Sequence, residues 1–251
     1  MGNMCVEYTS DKYYIGATFN SNNYGLFKII GKSNERKNYY YIKFIGYNEV
    51  YSCRSNHIKK GAVKNCFLPT IYGVGYFGAV KSHTYKSYKT WSSMLGRCYS
   101  EKEIERYPSY TEVYVCEEWL NFSNYNKWFI LNYKSGFCLD KDILIKGNKI
   151  YSPETCCFVP QRINLLFLKS DFIRGEYPIG VHKSNNKYVA SCNTGKKVQE
   201  YLGKYKTPIE AFNIYKECKE KYLNELSEKY KNVITNKVYM AIKNYKVEIT
   251  D

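Results

Sequence analysis

The order of elements between residues 179 and 223 constrains this chain most. Three short β-prone runs, 179–183, 187–192 and 197–203, are separated by the turn-forming Ser184-Asn185-Asn186 and Thr194-Gly195. A helix start follows. Thr207 stands at the N-cap, Pro208 occupies the first position, where its missing N–H costs nothing, and Glu210 stands where a carboxylate closes a capping box. Ala211, Ile214, Tyr215, Cys218, Tyr222 and Leu223 then give the helix an apolar face. This order predicts a three-stranded antiparallel sheet with a helix packed behind it. Strand side chains alternate, so the sheet face away from the helix is free to meet a partner.

Charge narrows the partner. Residues 174–206 carry Arg174, Lys183, Lys187, Lys196, Lys197, Lys204 and Lys206 against Glu176 and Glu200. The whole chain has 38 Lys and Arg against 23 Asp and Glu, a formal charge of +15. Such an excess favours a polyanion without choosing among DNA, RNA and an anionic membrane. Only six of the cations are Arg. Lys suits diffuse phosphate contact, whereas Arg suits bidentate base reading. No apolar run approaches the ~18 residues of a transmembrane helix. The N-terminus lacks an apolar signal core, and no Ser or Thr follows Gly2 at position 6 to support myristoylation. Ten cysteines without a short secreted framework fit a reducing compartment. The expectation is a cytoplasmic protein without a membrane partner.

The rest of the chain divides into two more regions. Residues 1–75 hold β-prone runs at 13–16, 24–30, 39–45 and 46–51, separated by Asn, Ser and Gly. They predict a small twisted sheet or open barrel. Residues 56–91 contain no acid but include Lys59, Lys60, Lys64, Lys81, Lys86 and Lys89, broken up by glycines. This stretch reads as a flexible or extended basic connector that follows a phosphate backbone, or as a solvated linker. In the middle region, Trp91, Met94, Leu95 and Cys98 share one helical face. Cys116, Trp119, Phe122, Tyr125, Trp128 and Phe129 do the same over 117–132, a core pattern more than a stacking platform. A hairpin is expected over 139–151, turning at 146–148, with a short helix or turn from Pro153. After residue 231 a strand or packed extension is expected. The class is α+β, with divisions at 1–75, 76–172 and 173–251.

Several chemistries are excluded by inventory. The three histidines, His57, His83 and His182, form no close pair, which removes two-histidine zinc fingers and HExxH metalloproteases. No Gly-x-Ser-x-Gly elbow occurs, and Gly73–Gly78 lacks the Walker spacing. Asp140 and Asp142 point the same way on a strand, or converge in a turn, and are the best pair for a hard cation. The competing reading pairs them with Lys141 or Lys149 across the hairpin. Glu154 is a third ligand or, preferably, a helix-start acid. Cys98, Cys116, Cys138 and Cys156 could close a structural zinc site, although no Cys-x-x-Cys marks it and each also fits a buried hydrophobe.

The segment Tyr88…Trp91…Met94…Arg97-Cys98-Tyr99…Cys116-Glu117-Glu118-Trp119…Leu139-Asp140-Lys141-Asp142…Tyr151-Ser152-Pro153-Glu154-Thr155-Cys156 resembles the HNH endonucleases of bacteriophages. Pro178-Ile179-Gly180-Val181, Lys187-Tyr188-Val189-Ala190, Tyr201-Leu202-Gly203-Lys204-Tyr205 and Pro208-Ile209-Glu210-Ala211-Phe212 resemble an AP2-type DNA-binding domain. Together they are similar to phage homing endonucleases over about residues 85–225. The resemblance implies a ββα-metal core that nicks or cleaves double-stranded DNA with Mg²⁺ or Mn²⁺, within a bacterial cytoplasm. It places an acidic metal ligand at Asp140. Lys141 stands where the general-base His is common, and Thr155 stands where the Pro-Glu-Asn element usually supplies Asn. A His base would then have to come from His83 or His57. The base-reading arginines of AP2 domains are replaced by His182, Lys183, Lys187 and Lys197, with Tyr188, Arg174, Lys196 and Lys204 beside them. Two further readings are kept: a non-catalytic DNA-binding regulator or inhibitor, and a protein-binding module.

Overall fold

A computed structural model describes residues 12–80, 82–167, 176–195 and 198–251. They form two compact units. One takes in the described residues up to His83 together with Leu120–Ser123; the other takes in Thr84–Trp119 and those from Asn124 to Asp251.

The first unit is an antiparallel meander of β1 (Thr18–Ser21), β2 (Gly25–Lys32), β3 (Tyr39–Phe44) and β4 (Val50–Arg54), followed by α1 (Ser55–Lys59). Its sheet is open, with β1 and β4 as edges, so of the two expected forms the barrel is not the one adopted. The strands alternate with period two. Phe27, Ile29, Tyr40, Ile42, Phe44 and Cys53 are buried on one face, against Ile58 of α1 and Val63. The stretch 56–91, expected as a flexible or extended basic connector, instead packs against the sheet over its first part. Val63 and Asn65 are buried. The Ser21 hydroxyl donates to the Val63 carbonyl, and the Tyr51 hydroxyl donates to Asn65 Oδ1. These side chains meet the segment's backbone and amide groups, which is what lets an irregular stretch pack. Its C-terminal end opens the first helix of the second unit.

That helix is α2 (Tyr85–Tyr99), capped by Thr84, whose Oγ1 accepts from the Ser87 N–H. Trp91, Met94, Leu95 and Cys98 form its buried face, and Trp91 Nε1 donates to the Trp119 carbonyl at 2.7 Å. The chain continues through α3 (Glu101–Arg106), β5 (Tyr114–Val115), α4 (Glu117–Leu120) and α5 (Phe122–Asn132). The single helix expected over 117–132 is thus two. Asn121 breaks it, its Oδ1 accepting from the Ser123 N–H at 2.9 Å.

Next come β6 (Phe137–Asp140), β7 (Ile150–Tyr151), β8 (Cys157–Pro160) and α6 (Gln161–Leu166). The expected 139–151 hairpin does not form. β6 pairs antiparallel with β8, while β7 pairs in parallel with β5. The Tyr114 N–H reaches the Lys149 carbonyl and the Cys116 N–H reaches that of Tyr151, so the backbone partners of β7 come from far back in the chain.

The C-terminal part holds β9 (Val181–Ser184), β10 (Lys187–Cys192) and β11 (Glu200–Tyr205), ordered β11-β10-β9 and antiparallel, then α7 (Pro208–Tyr230) and α8 (Asn236–Lys243). Asn185 and Asn186, both at positive φ, make the β9–β10 turn. The expected capping box at Thr207 and Glu210 is present. The tail after 231 is the helix α8, begun by Thr235, and not a strand. The buried side chains of α7 and α8, among them Leu223, Leu226, Val238 and Ile242, share one core with Ile143, Cys157, Val159 and Ile163. The expected division near 172 therefore runs between elements with a common core.

Candidate functional site

The segment proposed for catalysis lies at the end of β6, where Asp140 pairs with Cys157 of β8. β8 runs straight into α6, giving two antiparallel strands followed by a helix. Asp140 Oδ1 accepts from the N–H groups of Asp142 at 2.8 Å and Ile143 at 2.7 Å, so it closes the turn that leaves the strand. Burial raises the Asp140 carboxyl above its ordinary range, against the pull of those two N–H groups and of Lys141.

Lys141 is buried. Its ammonium lies 2.8 Å from both Asp142 oxygens and 2.8 Å from the Asn148 carbonyl. Asn148 Nδ2 returns a hydrogen bond to the Lys141 carbonyl at 2.9 Å. Thr155 Oγ1 donates to the Ile150 carbonyl at 2.8 Å, and Thr155 N–H reaches Ser152 Oγ at 3.3 Å. Lys141, Asn148 and Thr155 thus tie down the 141–155 loop. An ammonium donating to three oxygens has no lone pair with which to take a proton. It also places a positive charge against Asp142, where a cation shared with Asp140 would have to sit. The two carboxylates therefore do not suit a common Mg²⁺ or Mn²⁺ ion, and the competing reading, an Asp–Lys pair, describes Asp142.

The remaining expected ligands do not form a metal-holding group among the described residues. Cys98 and Cys156 are buried free thiols that burial pushes up to about 11 and about 12. Burial also raises Cys116. Cys138 lies on β6 opposite Val159. Among the described residues no three His, Cys, Asp or Glu side chains are grouped to hold a metal ion. His83 belongs to the first unit, its ring edge-on to Phe77 and Phe122 at 5.7 and 5.3 Å. His57 lies in α1 of the same unit.

The sheet β9–β11 has two different faces. Val181, Ala190, Cys192 and Leu202 look towards Phe212 and Tyr215 of α7. Gly180 has no side chain because the Tyr215 ring lies against it. The opposite face carries the row His182–Val189–Lys204, with Lys187 and Ser184 on one side and Ser191 and Tyr201 on the other. His182, Lys187, Tyr201 and Lys204 are exposed. Lys183 and Tyr188, expected beside them, belong to the other face, in the row Lys183–Tyr188–Tyr205. Tyr201 was not foreseen. Simple alternation would set it opposite in sense to Lys204, but a bulge between Ala190 and Ser191 restores both to the outer face. The Tyr-x-x-Lys spacing alone carries no sign of that bulge.

The other expected DNA contacts are divided between the two units. Lys59, Lys60 and Lys64 are exposed on the first unit; Lys86 and Lys89 are exposed on α2 of the second. Arg174, Lys196 and Lys197 lie outside the described residues. Among the described residues no helix is long and apolar enough to cross a membrane. No protein-family model, curated protein or solved structure matches this chain.

Proposed function

We propose that the chain binds double-stranded DNA through the outer face of β9–β11. On this reading its β6–β8–α6 unit is an HNH-like scaffold that has kept binding and given up cleavage. One observation carries the binding half: the outer face presents His182, Lys187, Tyr201 and Lys204 with no acid among its strand residues, while the inner face is occupied by α7. Glu200 pairs with Cys192, on the α7 side. Two strand spacings of ~4.8 Å set the outer chains ~10 Å apart, within the ~12 Å width of a major groove. Lys and His contact phosphate there, and Tyr201 offers a hydroxyl and an apolar ring. The order of two strands and a helix supports the HNH kinship, and the engagement of Lys141 supports the loss of cleavage.

The test is a salt series of binding to a labelled duplex, run beside plasmid nicking in Mg²⁺ and Mn²⁺. Affinity should fall steeply with salt, and Lys187→Ala with Lys204→Ala should flatten the slope by about 1.8. A salt-independent affinity, or a slope unmoved by that pair, overturns the binding half. Nicking that disappears in Asp140→Ala overturns the loss of cleavage and restores a metal-dependent endonuclease.

A further inference from the structure

We infer that the first unit carries a separate binding face for single-stranded DNA, on the outside of β1–β4. This does not rest on the reading of β9–β11, which belongs to the other unit. The inner residues of β2, β3 and β4 are buried in the core, so the outward ones form a second, uncovered surface. The register builds it row by row: Thr18–Lys28–Lys43–Val50, then Gly31–Tyr41–Ser52, then Tyr39–Arg54. Leu26, 50% exposed, and Val50, 53% exposed, add apolar surface to this face.

Two features give the occupant. The first is charge. Lys28, Lys43 and Arg54 stand on the face with no Asp or Glu at an outward strand position; Glu35 and Glu49 lie in the two connecting turns. The second is the setting of Tyr41. Its ring passes over Gly31, close enough that a methyl there would touch Cδ2 at 3.5 Å. The ring thus lies along the sheet, with 38% of the residue still exposed. Tyr39 is set differently: the guanidinium groups of Arg36 and Arg54 lie 5.6 and 5.9 Å from its ring centre. The half-exposed Tyr41 ring, with Lys28, Lys43 and Arg54 in the neighbouring rows and apolar side chains on the same face, suits a base stacked on the ring and its phosphates on the rim. Bases in a duplex are already stacked on each other, so the face selects an unpaired strand.

The test uses fluorescence anisotropy of the full chain with labelled oligo(dT) of about 15 nucleotides. Tyr41→Ala should weaken binding roughly ten- to a hundred-fold, the loss of one base–ring stack, while Tyr41→Phe should bind as the parent does. Lys28→Gln with Lys43→Gln should flatten the salt slope by about 1.4. Unlabelled oligo(dT) should displace the labelled strand much better than a duplex of the same length, which keeps this face distinct from the duplex site. The inference fails if oligo(dT) does not bind, if Tyr41→Ala with an unchanged circular dichroism spectrum binds normally, or if a duplex competes as well as the single strand at this face.

Discussion

Lys141 in the 141–155 loop gives its ammonium to Asp142 and the Asn148 carbonyl, whereas Lys187 and Lys204 on β10 and β11 are exposed and meet no carboxylate among the described residues. Both regions lie in the second unit, and both are rich in charged residues. The difference is what surrounds the charge. A buried ammonium must be matched by oxygens, so the loop's polar groups are consumed in holding its shape. An exposed ammonium on a sheet face keeps its water and remains able to exchange it for phosphate. A charged residue type is therefore evidence of function only once its partners are known.

The contrast can be broken at several strengths. Lys141→Met should cost about 1–3 kcal/mol in urea unfolding, because it strands Asp142 and the Asn148 carbonyl; the half-open Asp142 keeps the figure below that of a fully buried pair. Duplex affinity should not change. Lys187→Ala with Lys204→Ala should do the reverse, moving stability by less than about 0.5 kcal/mol while weakening duplex binding about ten-fold. A large stability loss in that double variant would make the outer face structural.

Asp140 sharpens the comparison with a pH readout. Its folded-state carboxyl is raised by burial, so its favourable contribution is present at low pH and is lost as pH rises through the folded-state value. Asp140→Asn keeps an oxygen for the two N–H groups and cannot ionise. The variant should therefore gain on the parent as unfolding is repeated from about pH 3 to about pH 7. A gain in the opposite direction would mean that the ionised carboxylate is stabilised in the fold. The smallest effect concerns thiols: Cys98 and Cys156, at about 11 and about 12, should resist alkylation at about pH 8 until the chain is unfolded. Rapid labelling of the native protein would show the region to be open.

Much of the secondary structure was legible. Thr207, Pro208 and Glu210 mark a helix start because capping is a local contract between a side chain and the next few N–H groups. Asn185-Asn186 marks a turn because Asn tolerates positive φ. The spacing of Trp91, Met94, Leu95 and Cys98 correctly reports a buried helical face. The larger misreadings concern partners distant in the chain. The 139–151 segment looked like a hairpin because its turn residues are genuine, yet β7 takes its partner from β5 and β6 takes its partner from β8. The acid-free 56–91 stretch looked loose because its anchors, Ser21 and Tyr51, lie earlier in the chain.

The sequence by itself determined the short-range matters: the three strands and helix, the caps, the apolar faces, and the excess of positive charge. Only the tertiary structure decided which charges are engaged within the fold and which face of a sheet the others occupy. It buried Lys141 against Asp142, turned Lys183 and Tyr188 to the α7 side, and used one bulge to bring Tyr201 beside Lys204. Those outcomes depend on burial and strand register, which are set by contacts between residues distant in the chain, and no local spacing encodes them.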